Sequence, residues 1–209
     1  VRTVIGVSSP HHGAPVAGVF GSMLGRDLLK VLSATTVHAI RLGSIPLPAL
    51  LVLASTLGGI GLRRPRATGG VLDQVYRQVL QDFSEERQQQ MQTYFAAAVN
   101  DQALLPQLAP EAMDLFNAAT IDREGVRYGS VVTRAPRPSV WRNVKVGVDP
   151  VRQANYQLFR TLYQLSTAMP RRALPELNPS QRTALRVGYG RVPSHRENDA
   201  MVPTLSQVY

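Results

Sequence analysis

The sequence predicts a helix-rich α/β fold, and three observations carry that reading. Residues 2–8 read as a short strand, with Val4, Ile5 and Val7 crowded together and Ser-Ser-Pro ending the run. Residues 125–133, Gly-Val-Arg-Tyr-Gly-Ser-Val-Val-Thr, read as a second strand. Between and after them lie long segments whose apolar residues recur at three and four, the period of an amphipathic helix. The inventory is unbalanced. Two strands that look buried on both faces are not expected to form a parallel sheet alone, and the helices outnumber anything they could cover. The chain therefore reads as the rear part of a larger α/β domain.

Taken in order, residues 16–43 carry apolar positions at helical spacing. Residues 71–96 do so as well, with Leu72, Val75, Tyr76, Val79, Leu80 and Phe83 forming one stripe. Ser84, followed by Glu86 and Arg87, marks a fresh helix start inside that second segment. Between the two segments, residues 42–62 (LGSIPLPALLVLASTLGGIGL) carry no charge. Pro46 and Pro48 at one end and Gly58, Gly59 and Gly61 at the other leave about ten residues of helix, against the ~20 needed to span a bilayer. No stable transmembrane span is expected.

Pro110 and Glu111 open a short helix over 108–120. A loop rich in proline and arginine is expected from the second strand to about Pro150. A further amphipathic helix spans 151–168, carrying Tyr156, Phe159, Leu162, Tyr163 and Leu165. Residues 178–190 are a last helix, with Asn178 as cap, Pro179 at the first position and Gly188 near the end. The tail from His195 is a polar loop leading into an apolar one.

Composition narrows the chemistry. The absence of cysteine excludes a disulfide framework, thiolate zinc sites and a cysteine nucleophile. The net charge of +9 is almost entirely arginine, since Lys30 and Lys145 are the only lysines. The arginines are scattered apart from a knot at Arg63, Arg64 and Arg66, and no aromatic residues interleave with it. A diffusely basic surface, not a nucleic-acid interface, is expected. His11 and His12 are adjacent and point opposite ways on an extended segment, so they cannot chelate one metal together. One of them is expected to bond loop backbone while the other lies near the surface. His38 and His195 lack ligand spacing, and no metal site or cofactor is expected. No Gly-x-Ser-x-Gly turn exists: Ser8 has Gly6 before it but Pro10 after it. In Glu197-Asn198-Asp199-Ala200-Met201-Val202-Pro203, the Asn-Asp pair reads first as a turn whose side chains cap their own backbone.

Three ordered stretches nevertheless resemble bacterial triacylglycerol lipases of the α/β-hydrolase family. Ser9, Pro10, His11, His12, Gly13, Ala14, Pro15 and Ala17 are similar to that family's T-P-H-x-G-S/T-P-x-A pattern. "LAPEAMDLFNAATIDREGVRY" is similar to its short helix ending in Phe-Asn before a strand with tyrosine. "ENDAMVP" resembles its N-D-G-x-V acid loop, with Ala200 where glycine is usual. The resemblance implies a partial α/β-hydrolase fold: residues 1–13 as core strand and loop, 14–107 as a large helical cap insertion, and 108–209 as the rear core with the acid loop. It implies an acyl-serine ester hydrolase with Asp199 as triad acid, the serine before Val1 and the histidine after Tyr209. The isolated stretch is then expected to be inactive and poorly soluble.

By the same resemblance His12 sits at the floor of the site as a substrate contact. Residues 49–57 would line an acyl pocket or touch lipid through Leu51 and Leu57, at an oil–water interface, or else form a plain core helix. Some such lipases bind calcium near the acid loop, for which Glu197 and Asp149 are candidates by position. The competing expectation is a non-catalytic helical module that binds lipid or a partner through residues 42–62.

Overall fold

A computed structural model describes residues 2–21, 23–61, 69–100 and 104–209. In chain order the elements are β1 (Thr3–Val7), α1 (Pro15–Phe20), α2 (Met23–Leu42), α3 (Leu47–Gly61), α4 (Gly69–Gln81), α5 (Glu85–Asn100) and α6 (Leu104–Gln107). They continue with α7 (Pro110–Ala119), β2 (Arg127–Val131), α8 (Val140–Val146), α9 (Pro150–Ser166) and α10 (Pro179–Tyr189). Two short 3-10 turns, Arg171–Ala173 and Thr204–Gln207, complete them. The residues fall into two compact units: Val1–Gly18, Leu105–Arg137 and Leu162–Tyr209 in one, Val19–Leu104 and Pro138–Thr161 in the other. The helix-rich α/β expectation holds at that level.

In the first unit β1 and β2 pair in parallel, from Thr3 opposite Arg127 to Val7 opposite Val131. This corrects the expectation that two such strands could not form a parallel pair. The ribbon is closed at both ends by backbone bonds, Arg127 N–H to the Arg2 carbonyl and Ser8 N–H to the Val131 carbonyl, each 3.0 Å. A second correction concerns burial: Val4, Ile5 and Val7 are exposed. β-branched side chains favour extended backbone whether or not a layer covers them, so their clustering reports strand and not burial.

α7 begins, as the sequence predicts, with Pro110 in its first turn after Ala109. α10 carries the full capping box: Asn178 accepts from the Gln181 N–H, and the Gln181 side chain accepts from the Asn178 N–H. Its stop is Gly190 in the left-handed region, at the end of the expected 178–190 segment, with Gly188 near the helix end.

The second unit is helical. α2 packs against α4, α3 and α5, and α3 packs against α4. Leu28, Val31, Leu50, Leu53, Leu57, Leu72, Val79 and Leu80 form its buried centre. The 42–62 segment forms a fifteen-residue helix, longer than expected, because Pro48 falls in its first turn and Gly58 and Gly59 are carried within it. No described helix is long and apolar enough to cross a membrane. α5 starts at Glu85, directly after Ser84. The 16–43 segment is two helices, and α2 can begin where it does because residue 25 is glycine: a Cβ there would lie 2.0 Å from the Val19 carbonyl oxygen.

α6, the two 3-10 turns and α8 went unpredicted. α8 lies inside the expected Pro/Arg loop, with Ser139 as its cap accepting from the Arg142 N–H. Seven residues are too few to display helical periodicity, which is why the pattern did not show it. The arginine knot at residues 63–66 lies outside the described residues.

Candidate functional site

The acid loop is built by its own side chains. Asn198 is fully buried; its Nδ2 donates to the carbonyls of Tyr163 (3.1 Å) and Arg196 (3.2 Å), and its Oδ1 accepts from the Ala200 N–H at 2.8 Å. Asp199 Oδ1 accepts two backbone bonds, from Met201 at 2.9 Å and Val202 at 2.7 Å. The turn expected from local chemistry is therefore present, closed by the Asn198–Pro203 bridge. Ala200 holds a φ of +84°, a left-handed conformation where a Cβ is strained.

The other carboxylate oxygen points elsewhere. Asp199 Oδ2 accepts from the Thr133 hydroxyl at 2.9 Å and from Gln207 Nε2 at 3.1 Å. Thr133 lies just past the carboxyl end of β2, and its hydroxyl is also 2.7 Å from Ser8 Oγ, just past the carboxyl end of β1. A hydroxyl has one proton, so a Thr133 that donates to Asp199 must accept from Ser8. The result is a relay, Ser8 to Thr133 to Asp199, lying across the carboxyl ends of two parallel strands. In α/β sheets that end is where ligands bind. Ser8 sits at φ +50° and bonds Thr133, and what departs from a nucleophile turn is Pro10 two places after it, where that turn carries glycine.

Gln207, fully buried, ties the relay together. Its Oε1 accepts from the Thr133 N–H at 2.6 Å, and its Nε2 also reaches the carbonyls of Thr133 and Val202, both at 3.3 Å. Each Asp199 oxygen thus carries two bonds, which fills the carboxylate's ordinary acceptor capacity.

The Pro-His-His-Gly loop is sutured to the same neighbourhood. His12 N–H donates to the Ser206 carbonyl at 3.2 Å, Ser206 Oγ donates to the Gly13 carbonyl at 2.6 Å, and Asn117 Nδ2 donates to the His11 carbonyl at 2.8 Å. Gly13 is required here: φ is +83°, and a Cβ would fall 2.6 Å from the Pro110 Cα. The three stretches singled out in the sequence therefore meet: Asn117 of the Phe-Asn helix holds the histidine loop, and the tail after the acid loop bonds both.

Both imidazoles are half-buried, and burial lowers both pKa values. His11 adds to the effect on His12, while Asp114 and the Val208 backbone oppose it. His12 fits the expectation of a ring bonded to backbone. The other half of that expectation is corrected: His11 Nε2 is buried without a hydrogen-bond partner, and the ring meets Tyr209 edge-on at 5.0 Å. Tyr209 stacks on Tyr128 at 5.2 Å and bonds Asp122; burial first, then that bond, pushes its hydroxyl up to about 12.

The candidate calcium carboxylates have other occupations. Glu197 is clamped by Arg134 at 2.9 Å and Arg191 at 2.7 Å; burial pushes its pKa up, but these bonds prevail and hold it below the ordinary value. Asp149 accepts from the Arg152 N–H at 2.9 Å in the first turn of α9. Among the described residues no cluster of three or more histidines and carboxylates could hold a metal.

Leu51 and Leu57, expected to share a lipid-facing side, are split. Leu51 is 53 % exposed and Leu57 is 0 % exposed, packed in the helical core. Six residues is about 600° of helix, which leaves them about 120° apart. His38, unpartnered in the sequence reading, is a core histidine bonded to the Ser44 carbonyl (2.7 Å) and Asp82 (2.9 Å).

Thr133, Gln207 and Ser8 were not found from sequence. Their partners lie 66, 74 and 125 residues away, and no local spacing encodes such pairs. No known protein family, curated protein or solved structure matches the chain.

Proposed function

We propose that this chain belongs to a lipase-like carboxylic ester hydrolase working through an acyl-serine intermediate, with Asp199 as the acid that steadies the catalytic histidine. The serine and that histidine lie in sequence outside residues 1–209. One observation carries the reading: the Asp199 carboxylate is fixed by backbone on one oxygen and turned by the other toward the carboxyl ends of β1 and β2.

In this mechanism the serine attacks the ester carbonyl while the histidine takes its proton. The same proton then goes to the departing alcohol, and water releases the acid. Asp199 accepts the second ring N–H, which sets the tautomer and stabilises the imidazolium. Room for that bond comes from Gln207. Its contact with Asp199 is one of three for Nε2, and the two carbonyls of Thr133 and Val202 keep the amide satisfied when the imidazole arrives. The substrate is a lipid or other apolar ester, met at an oil–water interface. Of the two leucines expected to touch it, only Leu51 is exposed.

The test is a fluorophosphonate probe on the full-length gene product, followed by peptide mapping. The proposal expects one labelled serine, located outside residues 1–209, and much slower labelling in Asp199→Asn. An unlabelled protein, or label on Ser8, contradicts it.

The competing reading is a non-catalytic module, and the filled carboxylate favours it, since an Asp199 already holding four bonds can serve as a loop staple alone. Its original basis is weaker: Leu50, Leu53 and Leu57 of the 42–62 segment are buried in the core and unavailable to a ligand.

A further inference from the structure

α8 is held by polar bonds while its apolar residues stand in water. Tyr156 grips its cap from both sides: the Ser139 N–H donates to Tyr156 Oη at 2.9 Å, and that hydroxyl donates to the Ser139 carbonyl at 2.7 Å. Gln153 Nε2 reaches the Gly147 carbonyl at 2.5 Å and the Asn143 carbonyl at 3.4 Å. The cap bond from Ser139 to the Arg142 N–H fixes the first turn. None of the residues of α8 is buried.

Such a helix ordinarily buries its apolar arc, because apolar burial supplies most of a short helix's stability. Here Val140 is 79 % exposed, Trp141 79 %, Val144 66 % and the following Val148 98 %. At about 100° per residue, Val140, Val144 and Trp141 fill one continuous arc of about 100°. Lys145 lies about 40° beyond its edge and Arg142 about 100° beyond it, both exposed, with the half-buried Val146 and Asn143 farther round. Arg152 adds a third exposed cation, against Asp149 as the one acidic residue from 140 to 152. Trp141 is the only tryptophan in the chain.

We propose that α8 is an interfacial anchor that seats Trp141, Val140 and Val144 in the headgroup region of an anionic lipid surface. The chemistry of this face favours a lipid surface over a protein groove for two reasons. The apolar arc is flanked by long cationic side chains that can reach phosphates while their stems lie on acyl chains, and the net charge of +9 adds long-range attraction. A lone indole at the crest of the arc also matches the preference of tryptophan for the membrane–water boundary. The polar clamps from Tyr156 and Gln153 keep the arc displayed before contact, so little ordering remains when it docks. The inference stands apart from the esterase reading, since it uses no residue of the Asp199 relay.

The experiment is flotation of the full-length gene product with vesicles of phosphatidylcholine alone or mixed with phosphatidylglycerol. Trp141 emission is recorded in parallel. The anchor predicts binding to the mixed vesicles, reversed by salt, with a blue shift of emission and protection from acrylamide. Arg142→Gln and Lys145→Gln should each weaken binding about fivefold. Val144→Asp should remove the blue shift while circular dichroism stays unchanged, as expected for an exposed site.

No binding to anionic vesicles overturns the proposal. So does binding unaffected by Val144→Asp and Lys145→Gln, or a blue shift obtained only with a protein partner. Vesicle binding by α8 in a protein whose Asp199→Asn variant keeps full turnover would sink the esterase reading and leave the anchor standing.

Discussion

The two units differ in what stands at their points of full burial, although both bury apolar side chains, Leu162, Met169 and Leu185 among them in the strand-bearing unit. In the helical unit, Leu28, Leu50, Leu53, Leu57, Leu72 and Leu80 are fully or almost fully buried, and the stabilisation is apolar burial. In the strand-bearing unit, Asn198, Thr204, Ser206 and Gln207 are fully buried within ten residues of sequence, and each is hydrogen-bonded. Apolar packing is non-directional and accepts substitutes of similar volume. A buried polar network is directional and accepts almost none, because each lost partner leaves a desolvated group behind. The difference teaches where this chain fixes geometry: around Asp199.

That contrast can be broken most sharply by near-isosteric substitutions on each side. Asn198→Leu keeps the branched skeleton but strands the Arg196 carbonyl and the Ala200 N–H, at about 1–3 kcal/mol each, while the Tyr163 carbonyl keeps its bonds from Thr167. A loss of at least about 2 kcal/mol by urea denaturation is expected. Leu72→Met, in the helical core, should cost under about 1.5 kcal/mol in the same assay. Equal losses would erase the distinction.

A smaller effect, of opposite sign, comes from Ala200. Its φ of +84° burdens the acid loop with a strained Cβ, so Ala200→Gly should gain about 1 kcal/mol, or roughly 2–4 °C in Tm. No gain would show that the methyl is compensated by packing.

The smallest expected effect is on pH dependence, and it too belongs to the polar unit. His11 and His12 have lowered pKa values when folded, so the unfolded chain binds protons first. Stability should be full above about pH 6.5 and decline as pH falls through that value toward the folded pKa values. Glu197 is held below its ordinary value of 4.5; its contribution is present above that pH and lost on further acidification through the lower folded value. His12→Gln should flatten the first decline in the urea midpoint while leaving the second.

The same contrast explains what was legible in the sequence. The helical unit is written in local periodicity and caps: Leu72, Val79 and Leu80 are where the stripe predicts, Ser84 precedes a helix start, and Asn178 caps with Gln181. The polar unit is legible only in fragments. Asn198 and Asp199 could be read as turn-builders because their backbone partners are two and three residues away. Thr133 and Gln207 could not, since nothing near either one in sequence indicates a carboxylate across the fold. Strand burial was misread for a related reason: extended-backbone preference is local, but covering a sheet face is a tertiary event. α8 escaped because its seven residues are too few for a helical period to show.

The most direct test sets two substitutions at one hydrogen bond against each other in the full-length gene product. Asp199→Asn and Thr133→Val each disturb the 2.9 Å bond between these side chains, but only the first removes the charge an imidazolium needs. For ester hydrolysis the account predicts a kcat loss of about 10³–10⁴-fold in Asp199→Asn, and a loss within about tenfold in Thr133→Val despite its lower Tm. Turnover within tenfold of the parent in Asp199→Asn, with Tm falling as it does in Thr133→Val, would make Asp199 a loop staple and contradict the account.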